Sequence, residues 1–332
     1  MTKKFDMAWG ESVAVRKAFL ETIPHKYVNF EYSSLENLGY PAHDGDPSLI
    51  SLTQEVIKRQ TGNDYKYILI TNGATGGVTI ALRSLAQSRA IQNCITRKPP
   101  YFRLYPGMIR AAGMVHKDYE DLLINVENAA YLVDSLSNPH GTFSTLKKNL
   151  WNNPIIWDAV YFSQVYAPGK HPQPDHDILV GSYSKLTGLN GLRVGWIATN
   201  DQLMYQRMKL LVISEYCGVS AASTKIILET AGTLSTWQWE AFERNAQNRL
   251  DYNREEFSKL EKYFGGTKVG PYGMFFYAPM DGVCQRLFEK SGVIWSPGQD
   301  LGTNNEFGRF NIGQDPHLVK DAVKSVLKND KI

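Results

Sequence analysis

The sequence predicts an α/β fold in which short buried strands alternate with helices. Three observations carry that expectation. Short apolar runs recur along the chain, each followed by a turn rich in glycine, asparagine or proline and then by a helical pattern. The stretch Asp177–Ile197, DILVGSYSKLTGLNGLRVGWI, sets a lysine, Lys185, between two such runs, Ile178–Val180 and Val194–Ala198. Hydroxyls precede that lysine (Ser182, Ser184), and Gly188, Gly191 and Arg193 follow it. Third, Tyr67–Thr71 reads as a strand that turns through Asn72-Gly73-Ala74-Thr75-Gly76-Gly77 into a helix. Unpaired backbone N–H groups and the helix dipole converge at such a turn and favour an anion. A lysine is ordinarily exposed. One flanked by apolar strands is desolvated, gives up its proton more readily and becomes a nucleophile toward an aldehyde.

The elements follow in order. The segment to about His43 is aromatic-rich and irregular (Phe5, Trp9, Phe30, Tyr32), with one helix expected over Ser12–Thr22. Tyr40-Pro41 and Gly45 precede a helical pattern at Leu49, Leu52, Val56 and Ile57. The helix after Asn72 is expected to run to about Ser88; its turn lacks both Gly-Lys-Ser/Thr and the glycine spacing of a dinucleotide site. Cys94–Thr96 is a short strand before Pro99-Pro100-Tyr101-Phe102-Arg103. Ala130–Ser137 is a strand ending in Asn138-Pro139-His140-Gly141. Pro154–Asp158 is an apolar strand ending on an acid, which is costly to bury unless paired. Tyr161 lies three residues further on. Helices are expected over Asp201–Ile213, Ala221–Ala231 and Ser235–Lys262, the last charge-rich and suited to connect two domains. From Tyr263 to Ile332, strands (Met274–Ala278, Phe307–Ile312) alternate with helices and place Arg309 between Phe307 and Phe310.

Composition narrows the class. A chain of 332 residues can hold two domains. A net charge of +3 with scattered basic residues gives no nucleic-acid footprint. No apolar run approaches the ~20 residues of a membrane span, and no apolar segment follows Lys3-Lys4 as in a secretory signal. Cys94, Cys217 and Cys284 are widely spaced, which fits free thiols in a reducing compartment and neither a disulfide framework nor a metal site. A cytoplasmic protein is expected.

The motif SYSKLTGLNGLRVGW, Ser182–Trp196, resembles the lysine motif of the fold-type I pyridoxal-phosphate enzymes, the aspartate-aminotransferase superfamily. With the preceding DHDILVG and the later CGVS it is most similar to the alliinase and tryptophan-aminotransferase-related branch. The resemblance implies a three-layer α/β/α large domain with a mostly parallel seven-stranded sheet, and a small α+β domain made from both termini. Residues 1–43 would join the small domain and the cleft, 44–240 would form the large domain and 241–332 the small one. It also implies that Lys185 carries pyridoxal 5′-phosphate as a Schiff base and that Asp158 pairs with the pyridine nitrogen. Tyr161 and Asn138 would bond the phenolic oxygen. Gly73, Ala74, Thr75, Ser182 and Arg193 would hold the phosphate. Tyr40 would reach the phosphate of a neighbouring subunit, hence a homodimer with shared active sites. Counting back from Gly113, the aromatic stacked on the ring is Phe102, with Tyr101 one residue away. Arg309 would grip the substrate carboxylate by a bidentate fork, with Asn138, Trp9 and Gly10 beside the substrate. His140 stands where the superfamily carries threonine, so no role is transferred to it.

The activity expected on this resemblance is transfer of the amino group of an α-amino acid to a 2-oxo acid. The alternative is a β- or γ-eliminating lyase or an amino-acid cyclase of the same fold. The same residues serve all three, because the outcome depends on which substrate bond stands perpendicular to the ring. A cofactor-binding sensory domain is disfavoured by the absence of a basic helix-turn-helix extension. No metal is expected.

Overall fold

The computed structural model describes residues 4–24, 39, 42–87, 91–120, 126–144, 153–170 and 178–330. After a short strand β1 (Phe5–Asp6), seven strands form the main sheet: β2 (Tyr67–Asn72), β3 (Asn93–Arg97), β4 (Val115–Tyr119), β5 (Ala129–Asp134), β6 (Ile155–Asp158), β7 (Ile178–Ser182) and β8 (Val194–Thr199). Their order is β2-β8-β7-β6-β5-β3-β4, parallel except that β8 runs antiparallel to both its neighbours. Strands β6, β7 and β8 are buried throughout, as expected of a sheet covered on both faces.

Helices supply the covers. On one face α1 (Val13–Thr22), α2 (Pro47–Thr61) and a long helix, Thr236–Ser258, set Phe19, Val56, Phe242 and Leu250 over Ile70, Val133 and Leu179. On the other, α3 (Gly73–Ala86), α4 (Tyr105–Ala111) and a helix over Gln202–Tyr216 set Val78, Ile109 and Val212 over Leu69, Leu132 and Val180. Leu69 and Ile70 thus face opposite layers, the two-residue period of a strand made visible. Local chemistry fixes the ends of α2: Asp46 accepts from the Ser48 and Leu49 N–H groups at 2.8 and 3.2 Å, Pro47 opens the first turn, and Gly62 closes the helix at φ 75°.

In chain order, α5 (Tyr183–Leu186), α6 (Gln202–Tyr216), α7 (Ala221–Thr230) and α8 (Thr236–Ser258) lead into the last region. There β9 (Phe275–Pro279), β11 (Ser296–Pro297) and β12 (Phe307–Asn311) form an antiparallel sheet in the order β11-β12-β9. The two-residue strand β10 (Val293–Ile294) pairs with β1, so both ends of the chain meet here. With α9 (Gly282–Lys290) and α10 (Pro316–Asn329) these strands enclose an aromatic core of Phe257, Phe264, Phe276, Phe288 and Phe310. Helix α8 contributes to this core through Phe257 and to the sheet's cover through Phe242.

Several boundaries differ from the sequence reading. The helix expected over Ser235–Lys262 ends at Ser258; a 3-10 turn, Glu261–Phe264, follows and closes on Gly265 and Gly266, both at positive φ. Helix α6 runs to Tyr216 rather than Ile213, ending where Cys217 turns left-handed. Strand β5 stops at Asp134, after which Leu136 bridges Phe143. No single described helix is long and apolar enough to cross a membrane, though α6 with Ala221–Thr233 passes on length and composition as a pair bent by 118°.

Candidate active site

The carboxyl ends of β5, β6 and β7 open onto a cavity of about 500 Å³. Such ends are where open α/β sheets place ligands. Lys185 stands at the floor on α5, a single helical turn that precedes the glycines. Ser182 builds that turn: its Oγ accepts from the Ser184 N–H at 3.0 Å and donates to the Val194 carbonyl at 2.9 Å. The Tyr166 hydroxyl lies 2.9 Å from the Lys185 carbonyl oxygen and 2.8 Å from Ser12 Oγ, tying the lysine's backbone to the N-terminal segment. Lys185 Nζ donates to the Gly10 carbonyl and lies 5.7 Å from the centre of the Tyr161 ring. Among the described residues no carboxylate forms an ion pair with it. Desolvation, then repulsion from Arg309 and Arg193, lowers its pKa to about 8, with Glu11 opposing.

Asp158 closes β6 on the same cavity, buried at 6% exposure and, among the described residues, in no ion pair. Its Oδ2 accepts from the Tyr105 hydroxyl at 2.8 Å and its Oδ1 from the Val160 N–H at 3.0 Å. Burial pushes its pKa up to about 6 against those two bonds, and Asp134 adds to the rise. Asp134 is its register partner on β5 and accepts from the Asn138 N–H at 3.1 Å; burial raises its pKa too.

A third corner is made by the start of α3. Gly73 has φ +68°, and a Cβ there would sit 2.4 Å from Arg193 Nη2, so only glycine lets the guanidinium lie across the helix N-terminus. Gly195 on β8 is needed for the same approach, since its Cβ would come within 2.5 Å of the Gly73 carbonyl carbon. Arg193, itself at φ 55°, donates to the Asn190 carbonyl at 3.1 Å and reaches Ser184 Oγ at 3.5 Å. The cavity wall includes Ala74, Thr75, Ser182, Ser184 and Arg193, while Gly73 lies behind Arg193. The Ser182 proton is committed to Val194, which leaves Ser184 and Thr75 as the hydroxyl donors of this corner.

The opposite wall comes from β12. Arg309 Nη1 donates to Asn138 Oδ1 at 3.1 Å, and Nη2 donates to the Ala8 carbonyl at 2.9 Å and Ser296 Oγ at 3.1 Å. The guanidinium lies 4.4 Å from the Phe275 ring centre, and its Nε is buried with no partner among the described residues. All these partners are neutral. Burial lowers its pKa, with Arg103 adding to the drop and Tyr161 and Asp300 opposing it.

Of the site residues named from the sequence, Tyr40 lies outside the described residues, as do Phe30 and Tyr32. Phe102 lines the cavity; Tyr101 is turned into the core at 8% exposure, edge-on to His116. Tyr161 lines it as well, edge-on to Phe275, and burial raises its pKa. Gly10 stands directly over the lysine, while Trp9 is at the rim and 63% exposed. Sequence reasoning missed Tyr105, Asp134 and Tyr166. An acid closing β5 as Asp158 closes β6 was a usable signal for Asp134; nothing local marked the two tyrosines.

These donors fit pyridoxal 5′-phosphate. A buried carboxylate without a cation, a desolvated lysine without an anion and an arginine across a helix N-terminus are each unfavourable alone, and that cofactor answers all three. The family model Alliinase_C, described as allinase, matches residues 46–260. The chain is 21% identical over 279 residues to tryptophan aminotransferase-related protein 3 of Arabidopsis thaliana, covering 75% of this chain and 61% of the relative. It is 24% identical over 294 residues to a (5-formylfuran-3-yl)methyl phosphate transaminase of Methanocaldococcus jannaschii, covering 78% and 74%. The chain spans about three fifths of the length of several curated relatives that it matches. Its fold superposes on a solved Methanococcus jannaschii structure, described as similar in its active site to kynurenine aminotransferases, with a TM-score of 0.77 at 18% identity over 98% of this chain and 91% of that one. The chain therefore belongs to the alliinase family, within the fold-type I superfamily of pyridoxal-phosphate-dependent enzymes.

Proposed function

We propose that this protein is an aminotransferase that moves the amino group of an α-amino acid to a 2-oxo acid. The observation that carries this reading is the pairing, in one cavity, of a desolvated Lys185 and a cation-free Asp158 with Arg309 facing them from β12. When bound, pyridoxal phosphate supplies a carbonyl carbon for the amine and a ring that withdraws electrons. Thr75, Ser184, Arg193 and the N–H groups opening α3 would hold its phosphate, with Ser182 building the turn beneath. Phe102 would cover one face of the ring, and Tyr161 and Asn138 would bond its phenolic oxygen. Asp158 would keep a proton on the pyridine nitrogen, with Tyr105 fixing the carboxylate's direction. Arg309 would orient the substrate by its carboxylate, its unpartnered Nε and the displaceable Ser296 contact offering the fork.

Lys185 would then take the proton of the substrate Cα and return it. A pKa of about 8 leaves a usable neutral fraction at neutral pH and a conjugate acid still strong enough to give the proton back. Gly10 and Trp9 would close the substrate side. The division into residues 1–43, 44–240 and 241–332, and a homodimer with Tyr40 reaching the partner's phosphate, belong to the same reading. The double allegiance of α8 to two cores supports the boundary near its start.

A second reading, elimination of a β substituent, is favoured by the allinase model that the chain matches. One experiment separates the two. Mixing holoenzyme with a panel of amino acids should convert the cofactor's absorbance to that of its amine form, restored by a 2-oxo acid. Release of pyruvate and ammonia without any 2-oxo acid would instead establish elimination.

A further inference from the structure

We propose that Arg103 is a second carboxylate-binding group of this cavity and that the substrates are dicarboxylic, an amino acid and a 2-oxo acid each carrying an ω-carboxylate. The inference rests on the aminotransferase reading and deepens it. Arg103 follows Phe102 directly and lines the same cavity as Arg309. The loop that bears it is docked onto the opposite wall, where the Tyr101 N–H donates to the Leu301 carbonyl at 3.3 Å. Among the described residues Arg103 makes no hydrogen bond and no ion pair, whereas Arg309 is held by three neutral oxygens.

The two guanidiniums on the wall select the ligand. Lys185, Asp158 and Arg193 are occupied by the cofactor in this reading, Glu11 is paired with Arg16 at 3.4 Å, and Asp134 is bonded to the Asn138 amide. Among the described residues Arg309 and Arg103 are the cations that remain on the cavity wall, with Asp300 also on it. A dicarboxylic amino acid offers one carboxylate to each guanidinium; a neutral amino acid leaves Arg103 unanswered, and a basic one sets a further cation against it. The two guanidiniums repel, and Arg103 adds to the lowering of the Arg309 pKa that burial causes. An anion on each relieves that repulsion, and Arg presents the planar fork that a carboxylate fits.

The test reads binding apart from chemistry. Succinate, glutarate, butyrate and 5-aminopentanoate are titrated into holoenzyme, and the cofactor's absorbance reports each dissociation constant. Wild type should hold a dicarboxylate about 30-fold tighter than butyrate, the worth of one charge-assisted bidentate contact. Arg103→Gln should bring that ratio close to one, Arg103→Lys should keep part of it, and Asp300→Asn should raise it. A ratio unchanged in Arg103→Gln, or a wild type that prefers 5-aminopentanoate, overturns the proposal, the second result pointing to Asp300 and a basic side chain. Conversion of the cofactor by L-glutamate or L-aspartate is followed in parallel. If the ratio tracks Arg103 while no amino acid converts the cofactor, the carboxylate site stands and transamination falls. If conversion occurs while the ratio ignores Arg103, transamination stands and the site falls.

Discussion

The floor and the wall of the cavity handle buried charge in opposite ways. On the floor, Lys185 and Asp158 carry opposite charges in one cavity and leave each other unpaired, so desolvation drives both toward neutrality, to pKa values of about 8 and about 6. On the wall, Arg309 faces the same desolvation but cannot give up its proton at any ordinary pH. It is surrounded instead by oxygens of Asn138, Ala8 and Ser296 and by the face of Phe275. A titratable group can be left poised for a ligand that will complete it. A permanent charge must be solvated by the protein beforehand, which costs it freedom and leaves it aimed.

The largest effect should come from the floor. Lys185→Ala should lower turnover by about 10⁴-fold or more and abolish the borohydride-stable label on this residue, checked by mass mapping of the reduced protein. A pyridoxyl group found on another lysine would reject the assignment. Next, Asp158→Asn should leave cofactor bound but cut kcat by roughly 10²- to 10³-fold, because an amide cannot hold the ring nitrogen's proton. Near-normal kcat in a folded variant would show that the carboxylate only supports structure.

The wall should respond differently. Arg309→Lys keeps the charge and loses the fork, so KM for an amino acid should rise and kcat fall, lowering kcat/KM about 100-fold with cofactor affinity unchanged. If cofactor affinity fell as well, wall and floor would be one unit and the contrast would dissolve.

A pH experiment sharpens the contrast. Below about pH 8 both the folded and unfolded chain hold the Lys185 proton, and the cost of burying that charge is fully present. Between about 8 and 10.5 the unfolded chain binds more protons, so this contribution to stability improves as pH rises. Cofactor-free Lys185→Met should therefore melt higher than wild type at pH 7 by calorimetry, by about 2 °C for each kcal/mol relieved, with the advantage gone above pH 10.5. Arg309→Met should show no such pH-dependent gain. The smallest effect belongs to Tyr105→Phe, which removes one of the two hydrogen bonds to the Asp158 side chain. The Asp158 pKa should move further up, and the acid limb of the kcat profile should shift to higher pH with a loss of about 3- to 10-fold.

Much of this was legible before the structure, for a physical reason. The lysine turn, the glycine turn after Tyr67–Thr71 and the acid closing Pro154–Asp158 are contiguous segments whose conformations follow from steric freedom, strand burial and helix starts. The sequence by itself therefore determined the alternating α/β plan, the strands of the main sheet except the edge strand β4, and most of the groups at their ends. Whatever depends on side chains meeting across the fold was decided only by tertiary structure. Tyr105 reaches Asp158 across 53 residues, and Arg309 reaches Asn138 across 171. No periodicity records such meetings, because they arise when separate elements share a cavity. The same holds for charge. Lys185 is an ordinary lysine in the sequence, and its pKa falls because folding removes its water and brings Arg309 and Arg193 near, which Glu11 offsets only in part. Which of Tyr101 and Phe102 faces the cavity was also left to packing, since both are aromatic and adjacent. Tyr101 fits against Tyr105 and His116 in the core, and Phe102 is what remains to line the site.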